Sequence, residues 1–235
     1  MLVLSRNTYK TLMCLILLFF VFTSFSTSAG GIALGATRII YPLNAKQVSL
    51  AVTNSDEESR FLIQSWVDDE NEKKSPNFIV TPPLFVSKPK SENTLRIMYV
   101  GPELPKDRES IFWLSSKAIP AVERNSIEGK NVLQLAILSR IKIFVRPENL
   151  GLTSEEALSK LDFYRRGNAI EVKNASPYYI TLVNLRVGVN MLPNTMIAPM
   201  SSALVNSPKG IEGVVTYQTV NDYGANTSIT TVQLK

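Results

Sequence analysis

The sequence predicts an all-β protein built as two β-sandwich domains behind a short N-terminal targeting segment. Three observations carry that expectation. Apolar and polar residues alternate over short stretches along most of the chain, the period of a half-buried strand. Pro, Gly, Asn and Asp break these stretches at short intervals, as turns between many short strands require. The texture changes once, after Arg146-Pro147, and leaves blocks of about 120 and about 85 residues, each a workable size for one sandwich.

Composition narrows the chemistry before any motif is read. The chain has 235 residues, 45% hydrophobic and 19% charged, the balance of a chain that buries a core. It has no histidine, which excludes every His-based triad, His general base and His metal site. Its single cysteine, Cys14, lies in an apolar N-terminal run, a poor setting for a disulfide, a thiolate nucleophile or Cys-ligated zinc. No catalytic residue, metal site or cofactor is expected, and no Gly-rich phosphate loop is present. A hydrolase using carboxylates or a Ser–Lys pair is the enzyme chemistry left open. The acidic run at 68–70 reads instead as a solvated turn, and Lys117 beside Ser115 and Ser116 as ordinary composition.

Residues 1–30 read as a cleaved signal peptide. Arg6 and Lys10 precede an unbroken apolar run of 11 residues, 12–22, and small residues follow up to Gly30. The run is short for a membrane span of about 20 residues, so no stable membrane insertion is expected. Export without a remaining cysteine means the mature chain is stabilised by its core alone. Without Arg6 and Lys10 the formal charge falls from +5 to +3, too small an excess for a nucleic-acid surface.

The strands follow in order. Residues 46–53 alternate, with Val48, Leu50 and Val52 on one face. A polar turn at 54–59 leads to a second apolar strand at 60–67, and a charged turn occupies 68–76. Strands at 78–80, 84–86 and 94–100 come next, punctuated by Pro82, Pro83 and Pro89, and another covers 110–115. Residues 132–145 form an apolar segment unusually long for a strand. A linker at 147–153 leads to Thr153-x-x-Glu156, which reads either as a capping box opening a short helix through Leu161 or as an irregular turn. Strands resume at 169–173, 178–189, 214–220 and 228–234, with turns at 174–177 and 221–226. The expected boundary therefore falls near residue 151, giving domains 31–151 and 152–235. Asn174 and Asn226 match a glycosylation pattern that often arises by chance.

The stretch 131–146 is the most informative. Leu133, Leu135 and Ile137 share one face of a strand, while Val132, Ala136 and Leu138 share the other. A strand apolar on both faces must be covered on both. It is either a central strand of the sandwich or an edge whose outward residues await a partner, since a bare apolar edge invites aggregation. Arg140 and Lys142 follow in the same strand and either face solvent or receive an anion at the end of a docked chain. Strict alternation places Lys142 opposite Leu133, Leu135 and Ile137, which a bulge near 139–140 or strong twist would reconcile.

At these residues the sequence resembles the periplasmic pilus-assembly chaperones of the chaperone–usher pathway, in the type 1 fimbrial, short-loop branch. Residues 31–42, 62–67, 78–85, 92–97, 104–110, 131–146 and 221–224 carry the likeness, seven blocks in order along the whole mature chain. The resemblance implies two immunoglobulin-like domains set as an L or boomerang. It implies that Arg38 and Lys142 anchor the C-terminal carboxylate of a pilus subunit. It implies that Leu133, Leu135 and Ile137 fill the subunit's unfinished groove by donor-strand complementation. Glu109, Arg146 and Asp222 are implied to form a buried interdomain charged cluster, and Ile119 and Pro120 to lie in the loop linked with the usher and with subunit release. The implied activity is ATP-independent capture, folding and delivery of fimbrial subunits, pilins and tip adhesin alike, to an outer-membrane usher from the periplasm. The alternative is an exported β-sandwich adhesin or a pilus subunit, in which the long apolar strand lies inside a completed sandwich. The sequence departs from the family at Ser115 and Ser116, where Asn and an aliphatic residue are usual. Local loosening is expected there.

Overall fold

The computed structural model describes residues 30–122, 133–208 and 213–235. The expected signal peptide up to residue 29 and residues 123–132, Val132 among them, lie outside the described residues.

The first sandwich is built from nine strands: β1 (Ile32–Leu34), β2 (Arg38–Pro42), β3 (Val48–Asn54), β4 (Phe61–Asp68), β5 (Phe78–Thr81), β6 (Leu84–Ser87), β7 (Ser91–Tyr99), β8 (Ser110–Pro120) and β9 (Ile137–Arg146). They form a four-stranded sheet in the order β1-β3-β7-β5 facing a five-stranded sheet in the order β2-β9-β8-β4-β6. The pairing is antiparallel except between β2 and β9, which run parallel. Alternation fills the core as the sequence predicts. Leu50 and Val52 of β3 meet Leu95 and Ile97 of β7, and across the sandwich lie Val67, Leu114, Ile143 and Val145. Tyr41 is fully buried, and its hydroxyl donates to Ala45 O at 3.0 Å while accepting from Tyr99 N at 3.0 Å. A buried phenol needs such partners, because an unpaired polar group costs about 1–3 kcal/mol. The Thr81–Pro82 peptide is cis.

The second sandwich follows a 3-10 turn at Glu156–Lys160. Its strands are β10 (Leu161–Arg166), β11 (Ala169–Asn174), β12 (Ile180–Val187), β13 (Asn190–Met191), β14 (Thr195–Ile197), β15 (Ser201–Asn206), β16 (Val215–Thr219) and β17 (Thr230–Val232). One sheet has the order β10-β11-β15 and the other β13-β12-β16-β17, with β14 also on β12. The core gathers Phe163, Ile170, Val172, Leu182, Leu185, Ile197 and Tyr217.

Several expectations need correction. The long apolar strand does not begin at 132. Its ladder with β8 ends at Ala118↔Ile137, so residues 133–136 lie ahead of the strand with no ladder of their own. Conversely, β8 runs on from Ser115 to Pro120, through residues whose polarity hid them. Ile119 and Pro120 are the last two residues of this strand, paired with Leu62 and Phe61, rather than members of a loop. The Thr153–Glu156 box does form, with Glu156 N donating to Thr153 Oγ1 at 3.2 Å and Thr153 N donating to Glu156 Oε2 at 2.8 Å. What it opens is a 3-10 turn, not an α-helix. Strands β1, β2, β10, β13, β14 and β15 had no sequence expectation. Asn174 is fully buried, with Nδ2 donating to Tyr178 O and Ala198 O, so it is a turn-former and not an accessible glycan acceptor.

Candidate functional site

The site is organised around the unequal edges of β9. On one side β8 pairs with it from Ile137 to Val145. On the other side β2 pairs only from Lys142 onward, where Arg38↔Lys142 opens a parallel ladder that ends at Pro42↔Arg146. Residues 137–141 therefore present one unpaired edge, and 133–136 continue it. Leu133 is 82% exposed, Leu135 67% and Ile137 60%. The apolar stretch lies outside the completed sandwich, against the adhesin or subunit alternative. Gln134 Nε2 donates to Pro120 O at 2.8 Å and ties this stretch to the end of β8.

The β8–β9 register is unbroken from Ser110↔Val145 to Ala118↔Ile137, so no bulge falls at 139–140. Alternation holds through the strand. Ile137 and Ile141 lie on the face that Ile143 and Val145 carry into the core. Arg140, Lys142 and Phe144 lie on the other. Within β9, Arg140 and Lys142 thus lie on the face opposite Ile137, and the exposed Leu138 lies on their own.

Arg38 and Lys142 stand side by side at the point where the free edge ends. Neither makes an ion pair within 4.0 Å among the described residues, although Arg38 Nη1 donates to Val220 O at 3.1 Å. Arg38 Nε is shielded from water without a partner among the described residues. Burial depresses the Lys142 pKa and the neighbouring Arg38 charge depresses it further. Burial also depresses that of Arg38, against the pull of Asp222 and Glu109. Two cations are kept half-buried side by side, a repulsion that a bound anion would relieve.

Glu109, Arg146 and Asp222 are brought together between the sandwiches. Arg146 Nε donates to Glu109 Oε1 at 2.7 Å, while Nη1 and Nη2 grip Asp222 at 2.7 and 2.8 Å. Glu109 Oε2 accepts from Tyr179 N at 2.8 Å, and Glu109 N donates to Pro177 O at 2.9 Å. Burial raises the Glu109 pKa against the opposing pull of Arg146, and the Arg146 hydrogen bonds lower that of Asp222. Burial works against the Arg146 charge, but the bonds and charges of Asp222 and Glu109 outweigh it and raise its pKa. Beside the cluster is a cavity of about 50 Å³ lined by Arg38, Phe144, Tyr178, Tyr179 and Asp222. Sequence reasoning missed Trp113, whose ring lies under both Arg140 and Lys142. It also missed Tyr178, whose hydroxyl donates to Leu152 O at 2.7 Å beneath the Arg146 guanidinium. Trp113 is directly opposite Lys142 in the β8–β9 ladder, a relation that appears only once the strands are aligned.

Two sandwich domains with one open apolar edge beside an uncompensated cationic pair define a protein that binds another chain through a strand edge. Comparison with known proteins gives the family. Residues 31–151 match the profile described as "Pili and flagellar-assembly chaperone, PapD N-terminal domain", and residues 156–231 match "Pili assembly chaperone PapD, C-terminal domain". The chain is 52% identical over 223 residues to the probable fimbrial chaperone SfmC of Escherichia coli K12, covering 95% of this chain and 97% of that one. It is 46% identical over 226 residues to the chaperone protein FimC of the same strain, covering 94% and 93%. Among solved structures it resembles the periplasmic chaperone SfaE, with TM-score 0.77, 45% identity and coverage of 87% and 100%. It also resembles a chain in the structure of the Salmonella enterica SafA pilin in complex with the SafB chaperone, with TM-score 0.79, 28% identity and coverage of 89% of this chain and 99% of that one. The chain belongs to the pilus-assembly chaperone family.

Proposed function

We propose that this protein is an exported, periplasmic chaperone that captures fimbrial subunits by lending them the 133–141 edge, then hands them to an outer-membrane usher. The observation that carries the reading is the unpaired edge of β9 with Leu133, Leu135 and Ile137 exposed beside Arg38 and Lys142. A SafA pilin in complex with the SafB chaperone, a structure of closely similar fold, favours a subunit as the occupant. Residues 1–30 act as the signal peptide, and 31–151 and 152–235 as the two domains. No nucleotide drives the cycle; binding and strand exchange do.

Geometry fixes the direction of the docked strand. If its C-terminal carboxylate sits between Arg38 and Lys142 and its body pairs with residues 133–141, it runs parallel to β9. It then occupies the lane that β2 takes over at Arg38. Each charge-assisted hydrogen bond to the carboxylate contributes about 1.5–3 kcal/mol when well placed. Each buried aliphatic side chain contributes about 1.5–3 kcal/mol before association entropy is subtracted. The Glu109–Arg146–Asp222 cluster holds the angle between domains, and Ile119 and Pro120 at the end of β8 form the surface read by the usher.

The test is affinity purification of the tagged protein from periplasm co-expressing a candidate rod subunit, beside Lys142→Ala. A stoichiometric complex that the variant fails to hold supports the chaperone role and the anchor together. Equal capture by both discards the anchor, and no capture by soluble wild-type protein discards the role.

A further inference from the structure

Two residues before Lys142, on the same face of β9, stands Arg140. Both cations lie over one indole: the Trp113 ring centre is 4.4 Å from the Arg140 guanidinium carbon and 5.6 Å from the Lys142 ammonium. Arg140 has one partner, Glu72, whose Oε1 accepts from Nη1 at 2.7 Å. The two ends of this pair differ sharply: the Glu72 side chain is 74% exposed and that of Arg140 27%. Glu72 also holds a left-handed backbone, with φ 62°, in the 69–73 turn. Arg140 Nε and Nη2 are shielded from water with no acceptor among the described residues. A guanidinium carries five donors, and leaving buried ones unpaired is unfavourable, so this pose is incomplete. The residue also belongs to the half of β9 whose second edge is open.

We propose that Arg140 is a second cationic contact for the docked subunit strand. On docking it leaves Glu72 and pairs with an acidic side chain carried by that strand shortly before its C-terminal carboxylate. This rests on the subunit-capture reading above. A parallel strand ending at Lys142 passes Arg140 about two residues before its end, and a period of two puts that side chain on the face of Arg140. Arg38, Lys142 and Arg140 make that face strongly cationic, so an acidic group is attracted and a basic one repelled. Release from Glu72 costs little on the carboxylate side, because the Glu72 end of the pair is exposed and returns to water.

The contact supplies what the apolar side chains cannot. A one-residue slip of the docked strand turns the wrong face inward, but a two-residue slip restores the same alternation. A charge pair at Arg140 in addition to the terminal carboxylate penalises the two-residue slip as well. Arg140 is then a register-determining residue.

The experiment compares wild type, Arg140→Gln and Glu72→Gln for retention of a co-expressed rod subunit across a salt series, with Lys142→Ala as control. Both test variants break the Arg140–Glu72 pair, and Arg140→Gln also removes the charge over Trp113, so urea unfolding of each free protein is measured beside retention. Retention separates them. Arg140→Gln loses the subunit about tenfold faster and with a weaker salt dependence, whereas Glu72→Gln, having lost the competitor, holds it about threefold longer than wild type. Equal losses in both variants mean the pair is only an internal clasp and overturn the proposal. Wild-type retention by Arg140→Gln overturns it too, while leaving the capture function intact if Lys142→Ala still fails. A wild type that holds no subunit overturns the function and this proposal together.

Discussion

Arg38 and Lys142 are directly opposite one another in the parallel β2–β9 ladder, and no carboxylate lies within 4.0 Å of either among the described residues. Opposed like charges are costly in a sheet, so the free protein carries this pair at a loss that a bound carboxylate would recover. Burial, and then Arg38, depress the Lys142 pKa. A native pKa below the unfolded value means that holding the ammonium costs stability at neutral pH. That cost fades as pH rises through the native value toward the unfolded one, about 10.4.

Lys142→Met keeps the aliphatic stem on Trp113 and removes the charge. The free variant should be more stable than wild type at pH 7 by about 0.5–1 kcal/mol, yet fail to hold a subunit. Urea unfolding at pH 7 and at pH 10 checks it, the gap narrowing at the higher pH. A less stable variant at pH 7 would show that the site stores no such cost.

Leu135 and Ile137 are exposed in the free protein. Substitution by serine should change its own stability by no more than about 0.5 kcal/mol, the range of ordinary surface changes. The same changes should weaken subunit retention by about 1.5–3 kcal/mol each, because these side chains become buried only in the complex. Urea unfolding and subunit dissociation, measured on the same preparations, separate the two effects. Equal losses in both would place the residues in the chaperone's own core.

Asp222 and Glu109 share Arg146 but titrate in opposite senses. The Arg146 hydrogen bonds hold Asp222 below the usual carboxylate range. Its stabilising contribution is present above the unfolded value of about 3.9 and is lost as pH falls through the lower native one. Burial raises Glu109, so the native state takes up that proton before the unfolded chain does. Asp222→Asn should cost about 1–2 kcal/mol at pH 7, after allowing for partial exposure. The deficit should close as pH falls below about 4. It should also alter the interdomain angle, read by solution scattering. An unchanged profile with unchanged stability would reduce the cluster to incidental charges.

The sandwich class and most strands of the first domain were legible because alternation reports burial directly. At β3, Leu50 and Val52 point inward as the pattern requires. Legibility failed where a strand's interior is polar. Ser115 and Ser116 hid the second half of β8, and Ser201 and Ser202 hid the start of β15. The apolar stretch at 133–138 was legible as a problem of coverage, but its two solutions, centre or edge, have the same periodicity. Only the ladder, which starts at Ile137 and gains β2 at Lys142, separates them. Composition pointed to no partner for Arg146; the resemblance supplied Glu109 and Asp222, and the geometry added Tyr178 under its guanidinium, with Tyr179 N donating to Glu109 and Ser154 Oγ to Asp222.

Ser115 and Ser116, where loosening is expected from the sequence, are 1% and 3% exposed in an unbroken ladder. Ser115 Oγ donates to Asp68 Oδ2 at 2.6 Å, and Trp66 Nε1 donates to Asp68 Oδ1 at 2.8 Å. Asp68 is 8% exposed, and these two side chains are the donors that satisfy its oxygens among the described residues. Ser115→Ala should therefore cost about 1–3 kcal/mol, while Ser115→Asn, whose amide can still donate, should recover most of it. On the other face Ser65 Oγ donates to Ser116 Oγ at 3.1 Å, a neutral pair among apolar neighbours. Ser116→Val alone strands the Ser65 hydroxyl and should cost about 1 kcal/mol. Adding Ser65→Ala removes both polar groups and should return stability to near wild type. Urea unfolding of the single and double variants tests both halves of the argument. Additive losses at 65 and 116 would mean that packing, not the paired hydroxyls, holds this part of β8 in place.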